Sequence, residues 1–148
     1  MVNIGFKAPK RPREMSLPTD AASREQYPMA EGCLDYFPNA LAEVSRLSKV
    51  GNDQHNPGQP MHHNRGKSTD HANKVIKHLV DRGKFDTDGV RHSVKAAWRA
   101  LALAQEEIEQ DEGVPLPRGC KAPPKEHRRV ATPEELDAAG LTHVNLRD

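Results

Sequence analysis

The distribution of proline most constrains what this chain can fold into. Its 148 residues include 12 prolines, none of which lies between Met61 and Glu112. Proline lacks a backbone donor and interrupts helices and central strands, so long regular elements can form only in the middle of the chain. We predict an extended N-terminal arm over residues 1–35, a helical domain over residues 36–112, and a Pro-rich linker with a short C-terminal helix over residues 113–148.

The apolar periodicity and the capping residues of the middle segment predict three helices, over residues 38–50, 69–83 and 90–110. A loop over residues 52–66, rich in Asn, His, Pro and Gly, joins the first two helices. Loops of this length inside a compact domain usually carry function. The C-terminal helix is predicted to begin at Thr132, which is followed by proline and two glutamates. The predicted fold class is therefore all-α, a small helical bundle between two arms.

A core limited to residues 36–110 is marginal for a chain that folds alone, because small domains bury too little apolar surface to offset chain entropy. We therefore expect oligomerisation to complete the bundle, as a homodimer or a homotetramer.

Composition excludes several functional classes. The formal net charge is +1, which gives no electrostatic basis for nucleic-acid binding. No stretch has the length or apolar character of a membrane span or a signal peptide, so we expect a cytoplasmic protein. In a reducing compartment Cys33 and Cys120 are expected to be free thiols.

Glu43 falls within the apolar stripe of the first helix when residues are placed at 100° intervals. A carboxylate in such a stripe is expected to be paired, protonated or bound to a metal, because an isolated buried charge is costly. Two interpretations stay open: a metal ligand, or a structural salt bridge to Lys77 or Arg99.

Histidine is concentrated in the middle of the chain, where six of the eight lie between residues 55 and 92. His71 and His78 border the apolar arc of the second helix, and His92 borders that of the third. Any one of them alone would be interpreted as a hydrogen-bonded core or surface histidine. Together they favour a site near one end of the helices, with nearby acidic residues: Glu43, Asp70, Asp81, Asp86 and Asp88.

Mg²⁺ or Mn²⁺ suits these residues better than Zn²⁺, because the sequence has neither paired cysteines nor a His-Glu-x-x-His motif. Such ions commonly meet substrate phosphates, and four basic residues are available to neutralise the remaining phosphate charge: Lys67, Lys74, Lys95 and Arg99. No glycine-rich phosphate loop is present, which argues against a P-loop kinase.

Several separate motifs between residues 24 and 110 resemble a phage-associated family, the dATP/dGTP diphosphohydrolase N-terminal domain, which is related to the MazG-like (MazZ) nucleotide pyrophosphohydrolases. The motifs are Tyr27-Pro28, Leu34-Asp35-Tyr36-Phe37-Pro38-x-Ala40-Leu41, Gly51-Asn52-x-Gln54-His55-Asn56-Pro57-Gly58-Gln59-Pro60, Lys67-Ser68-x-Asp70-His71, His78-Leu79 and Asp88-Gly89-x-Arg91-His92-x-x-Lys95-x-Ala97-Trp98-Arg99-Ala100-Leu101-Ala102.

The resemblance implies an all-α, MazG-like bundle and a Mg²⁺- or Mn²⁺-dependent reaction. The reaction it implies cleaves a purine deoxynucleoside triphosphate between the α- and β-phosphates, releasing the monophosphate and pyrophosphate in phage nucleotide-pool metabolism. The host cytoplasm would then be the location.

The motif positions give each site residue an expected role. The expected metal ligands are Glu43, Asp88 and His92, and the expected catalytic residues are His78 and Asp81. The expected substrate-binding residues are His55, Asn56, Lys67, His71, Lys95 and Arg99.

This sequence departs from the MazG-type pattern at three points. MazG-type enzymes carry Glu-x-x-Glu on the first metal-binding helix, whereas here Glu43 is followed by Arg46. Their later Glu-x-x-Asp is replaced by His78-x-x-Asp81. His63 stands where an aromatic tryptophan is expected, which bears on stacking of the base.

Two other functional classes stay open. One is a His-Asp metal phosphohydrolase, although that class uses adjacent His-Asp ligands and this chain has the reverse order, Asp70-His71. The other is a non-catalytic helical protein whose arms bind a partner. The phosphorus-containing product distinguishes the two hydrolases, and failure to bind any divalent ion or nucleotide would favour the interaction protein.

Overall fold

The computed structural model describes residues 16–123, and this part of the chain is mostly helical. Its elements, in chain order, are α1 (Ala21–Arg24), a π-helical turn (Ala30–Leu34), α2 (Pro38–His55), β1 (His63–Asn64), α3 (His71–Val80), α4 (His92–Glu112) and β2 (Cys120–Lys121). The mostly α-helical class is confirmed. None of the helices among these residues is long and apolar enough to cross a bilayer.

Helix α2 begins at Pro38, as predicted, but continues through Gly51 to His55. A glycine inside a helix costs only about 1 kcal/mol relative to alanine, and the last turn of α2 has strong local support. Asn56 N–H donates to the carbonyl of Asn52 at 2.7 Å, and the buried Asn52 side chain is bonded to the following loop. The predicted end at residue 50 is therefore wrong.

The other two long helices are shifted relative to the predictions. Asp70, rather than Ser68 or Thr69, is the residue preceding α3, and α3 ends at Val80 instead of Gly83. Helix α4 begins at residue 92, because the preceding residues form a tight turn rather than a first helical turn.

The described parts of the two arms contain more regular secondary structure than predicted. Residues 16–35 are not extended throughout: α1 is capped by Asp20, whose carboxylate accepts from Ser23 N–H at 2.9 Å, and the π-helical turn follows. After α4, the Pro-rich segment adds β2, which pairs in parallel with β1, with Cys120 opposite His63. Cys33 and Cys120 are free thiols, as expected. The C-terminal helix predicted at Thr132 lies outside the described residues.

Helices α3 and α4 form the main helix–helix interface, and α2 packs against α4. Within residues 16–123 the buried apolar side chains are few and small: Val90, Val94, Ala96 and Ala102. The apolar arc predicted to be buried on α3 is largely uncovered, with Ile76 63% and Val80 73% exposed. This prediction is wrong for the single chain, because no other described element packs over that face.

Candidate functional site

An open cavity of about 1010 Å³ lies between α2, α4 and the loop that joins α2 to α3. Among its lining residues in the described range, five are lysine or arginine, four are histidine, and none is aspartate or glutamate. Apolar side chains of α2 and α4, including Leu47 and Trp98, complete the lining. Arg65, Lys74 and Lys95 are ion-paired with carboxylates outside the lining, whereas Lys67 and Arg99 form no ion pair within residues 16–123. The cavity therefore combines an apolar wall with one that carries basic side chains, which suits an anionic ligand that also has an apolar part.

Two polar side chains fix the cavity walls. Trp98 donates from its indole N–H to the hydroxyl of Ser48 at 2.9 Å, which ties α4 to α2. Asn52, only 6% exposed, donates to the carbonyl of Gln59 at 3.1 Å, and its side-chain oxygen accepts from His62 N–H at 3.2 Å. Because a buried amide must be hydrogen-bonded, Asn52 determines the path of the loop along the cavity.

The turn before α4 positions two carboxylates. Asp86 N–H donates to the carbonyl of Val90 at 2.9 Å, and Gly89 N–H donates back to the carbonyl of Asp86 at 2.9 Å. Gly89 has a φ of 73°, a left-handed conformation that glycine adopts without strain. Val90 is completely buried and anchors the turn in the core. The sequence predicts Asp88 as the cap of the third helix, and this is wrong. Its carboxylate accepts from Val90 N–H at 3.1 Å instead of capping α4.

Lys95 on α4 neutralises part of this acidic turn. Its ammonium lies 2.6 Å from a carboxylate oxygen of Asp86 and 2.7 Å from one of Asp88, and the lysine side chain is only 14% exposed. The hydrogen bond from Lys95, followed by the backbone N–H of Thr87, lowers the pKa of Asp86 to about 2. Both carboxylates are therefore ionised at neutral pH, and two negative charges share one lysine.

His78 on α3 and His92 at the start of α4 face each other across the helix interface. Their Nδ1 atoms are 3.0 Å apart. Burial, followed by the neighbouring His92, lowers the pKa of His78, which favours the neutral imidazole that metal binding requires. Asp86 lies close to this pair, and the three residues offer ligand atoms that all lie within 4.8 Å of one another.

The chemistry of His78, Asp86 and His92 fits a divalent cation. The two Nδ1 atoms are within hydrogen-bonding distance of each other, so a bound cation would replace a hydrogen bond between the two imidazoles. Two imidazoles with one carboxylate suit first-row transition metals such as Fe²⁺ and Zn²⁺ best, and they suit Mn²⁺ better than Mg²⁺, which prefers oxygen ligands.

A second group, His63, His71 and Glu106, also brings ligand atoms within 4.8 Å of one another. Here, however, Glu106 accepts a hydrogen bond from Arg65 at 2.9 Å. The Nδ1 of His71 lies 3.3 Å from a guanidinium nitrogen of Arg99, and because guanidinium only donates, that Nδ1 acts as the acceptor. Nε2 of His71 lies 3.3 Å from a carboxylate oxygen of Glu106 but makes no hydrogen bond to it. We interpret this group as structural.

Glu43 is not in either group. Its side chain is 45% exposed and pairs with Arg46, one turn further along α2, at 2.8 Å. The expected burial in an apolar stripe is wrong, and so are the salt bridges considered to Lys77 or Arg99. The pKa of Arg46 is raised first by Glu43 and also by Asp88, which indicates that this pair lies on the side of α2 near the acidic turn.

Asp81 and Asp88 also differ from their expected roles. Asp81 is 45% exposed and pairs with Lys84 at 3.0 Å, so it is outside the His78 group, where it was expected to act. Asp88 contacts Lys95 instead of joining His78 and His92, and Asp86 takes the position expected for it.

The structure brings most of the expected substrate-binding residues to the cavity. The members that line it are His55, Asn56, Lys67, Lys95 and Arg99. Lys67 donates to the carbonyl of His55 at the end of α2, at 3.0 Å. His71 is not among the lining residues; it is 2% exposed and lies behind the wall formed by Arg99.

Three features of the site go beyond what the sequence predicts. The sequence analysis gives Asp86 no specific role among the acidic residues, although its position in an Asp-x-x-Gly turn is a signal that could have selected it. Ser68, expected to act only as a cap, accepts hydrogen bonds from two basic side chains. The ring of His63 packs edge-on against Trp98, with centroids 4.9 Å apart, where the motif comparison had expected tryptophan.

Comparison of the chain with protein-family models, with curated proteins and with solved structures finds no match.

Proposed function

We propose that this chain is a divalent-cation-dependent hydrolase of deoxynucleoside triphosphates, with dATP or dGTP converted to the monophosphate and pyrophosphate. The observation that carries the proposal is the basic, carboxylate-free lining of the cavity beside the group formed by His78, Asp86 and His92. A triphosphate needs both cationic side chains and a cation-binding group, and His78 belongs to both features.

The basic wall and the apolar wall would contact different parts of the proposed substrate. The triphosphate would lie along the basic wall, where Lys74, Lys95 and Arg99 line the cavity. The base would lie against the apolar wall that contains Trp98 and Leu47. A volume of about 1010 Å³ accommodates a ligand of this size, since small-molecule sites commonly span roughly 300–1,000 Å³.

His78, Asp86 and His92 would hold the cation, and their donor types favour Mn²⁺ over Mg²⁺. Such an ion would supply positive charge to the phosphate oxygens and activate a water for attack on phosphorus. Lys95, which pairs with Asp86 and also lines the cavity, would balance charge between the cation-binding group and the phosphates. Cleavage between the α- and β-phosphates is the part of the proposal that rests on the family resemblance.

A His-Asp phosphohydrolase is less well supported by this geometry. The adjacent residues Asp70 and His71 have separate environments: Asp70 pairs with Lys74 at 3.2 Å, while His71 is buried against Arg99 and Glu106. They do not act as neighbouring ligands of one ion among the groups found in residues 16–123.

We also propose that a second copy of the chain covers the exposed apolar residues, giving a homodimer or a homotetramer. On α3 the uncovered side chains include Ile76 and Val80, and Phe85 in the following turn is 58% exposed. Contiguous exposed apolar surface usually marks an interaction site. A sedimentation measurement that finds only monomer at micromolar concentration would overturn this part of the proposal.

The experiment that tests the hydrolase is a panel of canonical ribo- and deoxyribonucleoside triphosphates incubated with Mn²⁺ or Mg²⁺ and followed by phosphorus NMR. The expected products are a monophosphate and pyrophosphate, with faster turnover in Mn²⁺. Release of inorganic triphosphate or of orthophosphate would instead favour the other hydrolase class.

Variants Asp86→Asn and His78→Gln are expected to lower turnover by about 100-fold or more, because second- and first-sphere ligand changes have effects of this order. Asp53→Asn is the matched control, since Asp53 pairs with Lys49 on the exposed side of α2. Circular dichroism would establish that each variant is folded. Wild-type turnover in both site variants would show that the site is wrong, and no hydrolysis of any triphosphate would refute the function.

A further inference from the structure

The geometry points to a metal-independent anion-binding centre, formed by Ser68, Lys74 and Arg99, that receives a phosphoryl group of the substrate. This inference deepens the proposed function and rests on it for the identity of the ligand. The chemistry of the centre, however, is independent of the cation-binding group at His78.

The hydroxyl of Ser68 is the point where the two cations converge. It accepts from the ammonium of Lys74 at 2.9 Å and from a guanidinium nitrogen of Arg99 at 2.9 Å. A hydroxyl oxygen has two lone pairs and one proton to donate. With both lone pairs occupied, its own O–H is directed away from the cations. The ammonium of Lys74, the guanidinium of Arg99 and the O–H of Ser68 therefore lie close together as three hydrogen-bond donor groups.

Arg99 is a partly buried cation whose protein partners are both neutral. Its contacts are the Ser68 hydroxyl and Nδ1 of His71, at 2.9 and 3.3 Å, and both use the same guanidinium nitrogen. Burial lowers the pKa of Arg99, with Asp70 acting in the opposite direction. No carboxylate within residues 16–123 forms an ion pair with it, although its partial burial removes some of the hydration of the charge. An anionic ligand would supply the missing partner.

Both hydrogen bonds of Arg99 within residues 16–123 use one terminal nitrogen, and its other nitrogens are not among the buried unpaired atoms, so they are accessible to a ligand or to water. The guanidinium carbon lies 5.2 Å from the centre of the Trp98 ring, so the side chain is supported beside the apolar wall. Guanidinium groups bind phosphate oxygens through paired N–H groups, and this one has such a pair unused.

Neighbouring features reinforce the positive potential. Ser68, Lys74 and Arg99 all line the cavity whose described lining lacks carboxylates. Helix α3 begins three residues after Ser68, and Asp70 makes no side-chain capping bond to it. The first N–H groups of α3 therefore add the positive end of a helix dipole on the same side. Asp70 offsets part of this potential, since it pairs with Lys74 at 3.2 Å and its charge raises the pKa of Arg99.

The competing interpretation is that Ser68 merely ties α3 to α4. That role requires no affinity for anions, so binding of an inorganic anion separates the two. We would titrate the full-length protein with inorganic tripolyphosphate by calorimetry, in the presence of EDTA, and compare wild type with Arg99→Met and with the control Arg82→Met. Arg82 is an exposed arginine that follows α3 and donates to the Leu79 carbonyl at the end of that helix.

Wild type is expected to bind tripolyphosphate with an affinity that falls as salt rises, and Arg99→Met to bind about tenfold more weakly or worse. Arg82→Met is expected to bind as wild type does. If Arg99→Met does not fold, Lys74→Met provides the same comparison at a more exposed position, with the side chain 35% exposed. Equal affinity in wild type and the folded site variant, or no binding by folded wild type, would overturn the inference.

The outcome is separable from that of the proposed function. Metal-free tripolyphosphate binding that depends on Arg99, without turnover of any nucleotide, would retain the anion-binding centre and refute the hydrolase. Normal turnover in Arg99→Met, together with no tripolyphosphate binding by wild type, would retain the hydrolase and refute the anion-binding centre.

Discussion

Arg65 connects the β1 segment to α4, and its replacement by methionine is the perturbation whose magnitude the structure defines best. The side chain is only 7% exposed, and its two terminal nitrogens donate to Glu106 at 2.9 Å and to Glu109 at 2.7 Å. These glutamates lie one turn apart on α4, so they repel each other when the arginine is removed.

Removing one partner of a buried ion pair typically costs about 3–5 kcal/mol, because it leaves an uncompensated charge. Glu106 is 25% exposed and Glu109 14%, and partial hydration places the expected cost for Arg65→Met at the lower limit, about 3 kcal/mol. For a unit of roughly 100 residues this corresponds to a decrease of roughly 10–15 °C in the melting temperature.

The assay is thermal and urea unfolding at fixed protein concentration, with Arg46→Met as the control. Arg46 also pairs with a glutamate, at 2.8 Å, but its side chain is 47% exposed, and exposed pairs contribute little. A melting temperature no lower than that of Arg46→Met would refute the reasoning.

Three further predictions follow from the site. Burial, followed by the charge of Arg65, lowers the pKa of His63 below 6.5. Just below pH 6.5 the unfolded chain therefore binds more protons than the folded one, and wild type should lose stability as pH falls through this range. His63→Phe keeps the edge-on packing against Trp98 and should flatten this loss in thermal melts. Gly89→Ala places alanine at a φ of 73°, should cost roughly 1–2 kcal/mol, and should weaken Mn²⁺ binding measured by calorimetry, since the same turn carries Asp86. Lys95→Met removes the ammonium that competes for Asp86 and should tighten Mn²⁺ binding; weaker binding would contradict the assignment of that carboxylate.

The long helices could be predicted from the sequence because their causes are local. Proline is absent from residues 61–112, apolar residues recur at helical spacing, and Pro38 marks the start of α2. Boundaries were less predictable. Gly51 did not end α2, because the side chain of Asn52 is held by hydrogen bonds to residues up to ten positions further along the chain.

The sequence predicted which types of residue form the candidate site better than it predicted which individual residues come together there. The concentration of histidine drew attention to His78 and His92, which the structure places 3.0 Å apart. Periodicity placed Glu43 in a buried stripe, whereas the neighbouring Arg46 holds it at the surface. Asp86 replaced Asp81 and Asp88 because a tight turn, which helical periodicity does not describe, directs its carboxylate to the histidines.

Sequence alone determined where helices form, because hydrogen bonding within a helix and the restriction imposed by proline act over a few residues. Only the tertiary structure decided which charges far apart in the sequence are paired. Arg65 reaches glutamates more than forty positions away, while Arg99 reaches a hydroxyl and an imidazole but no carboxylate in residues 16–123. Electrostatic energy depends on distance and burial in space, and neither is encoded in the local pattern of residues.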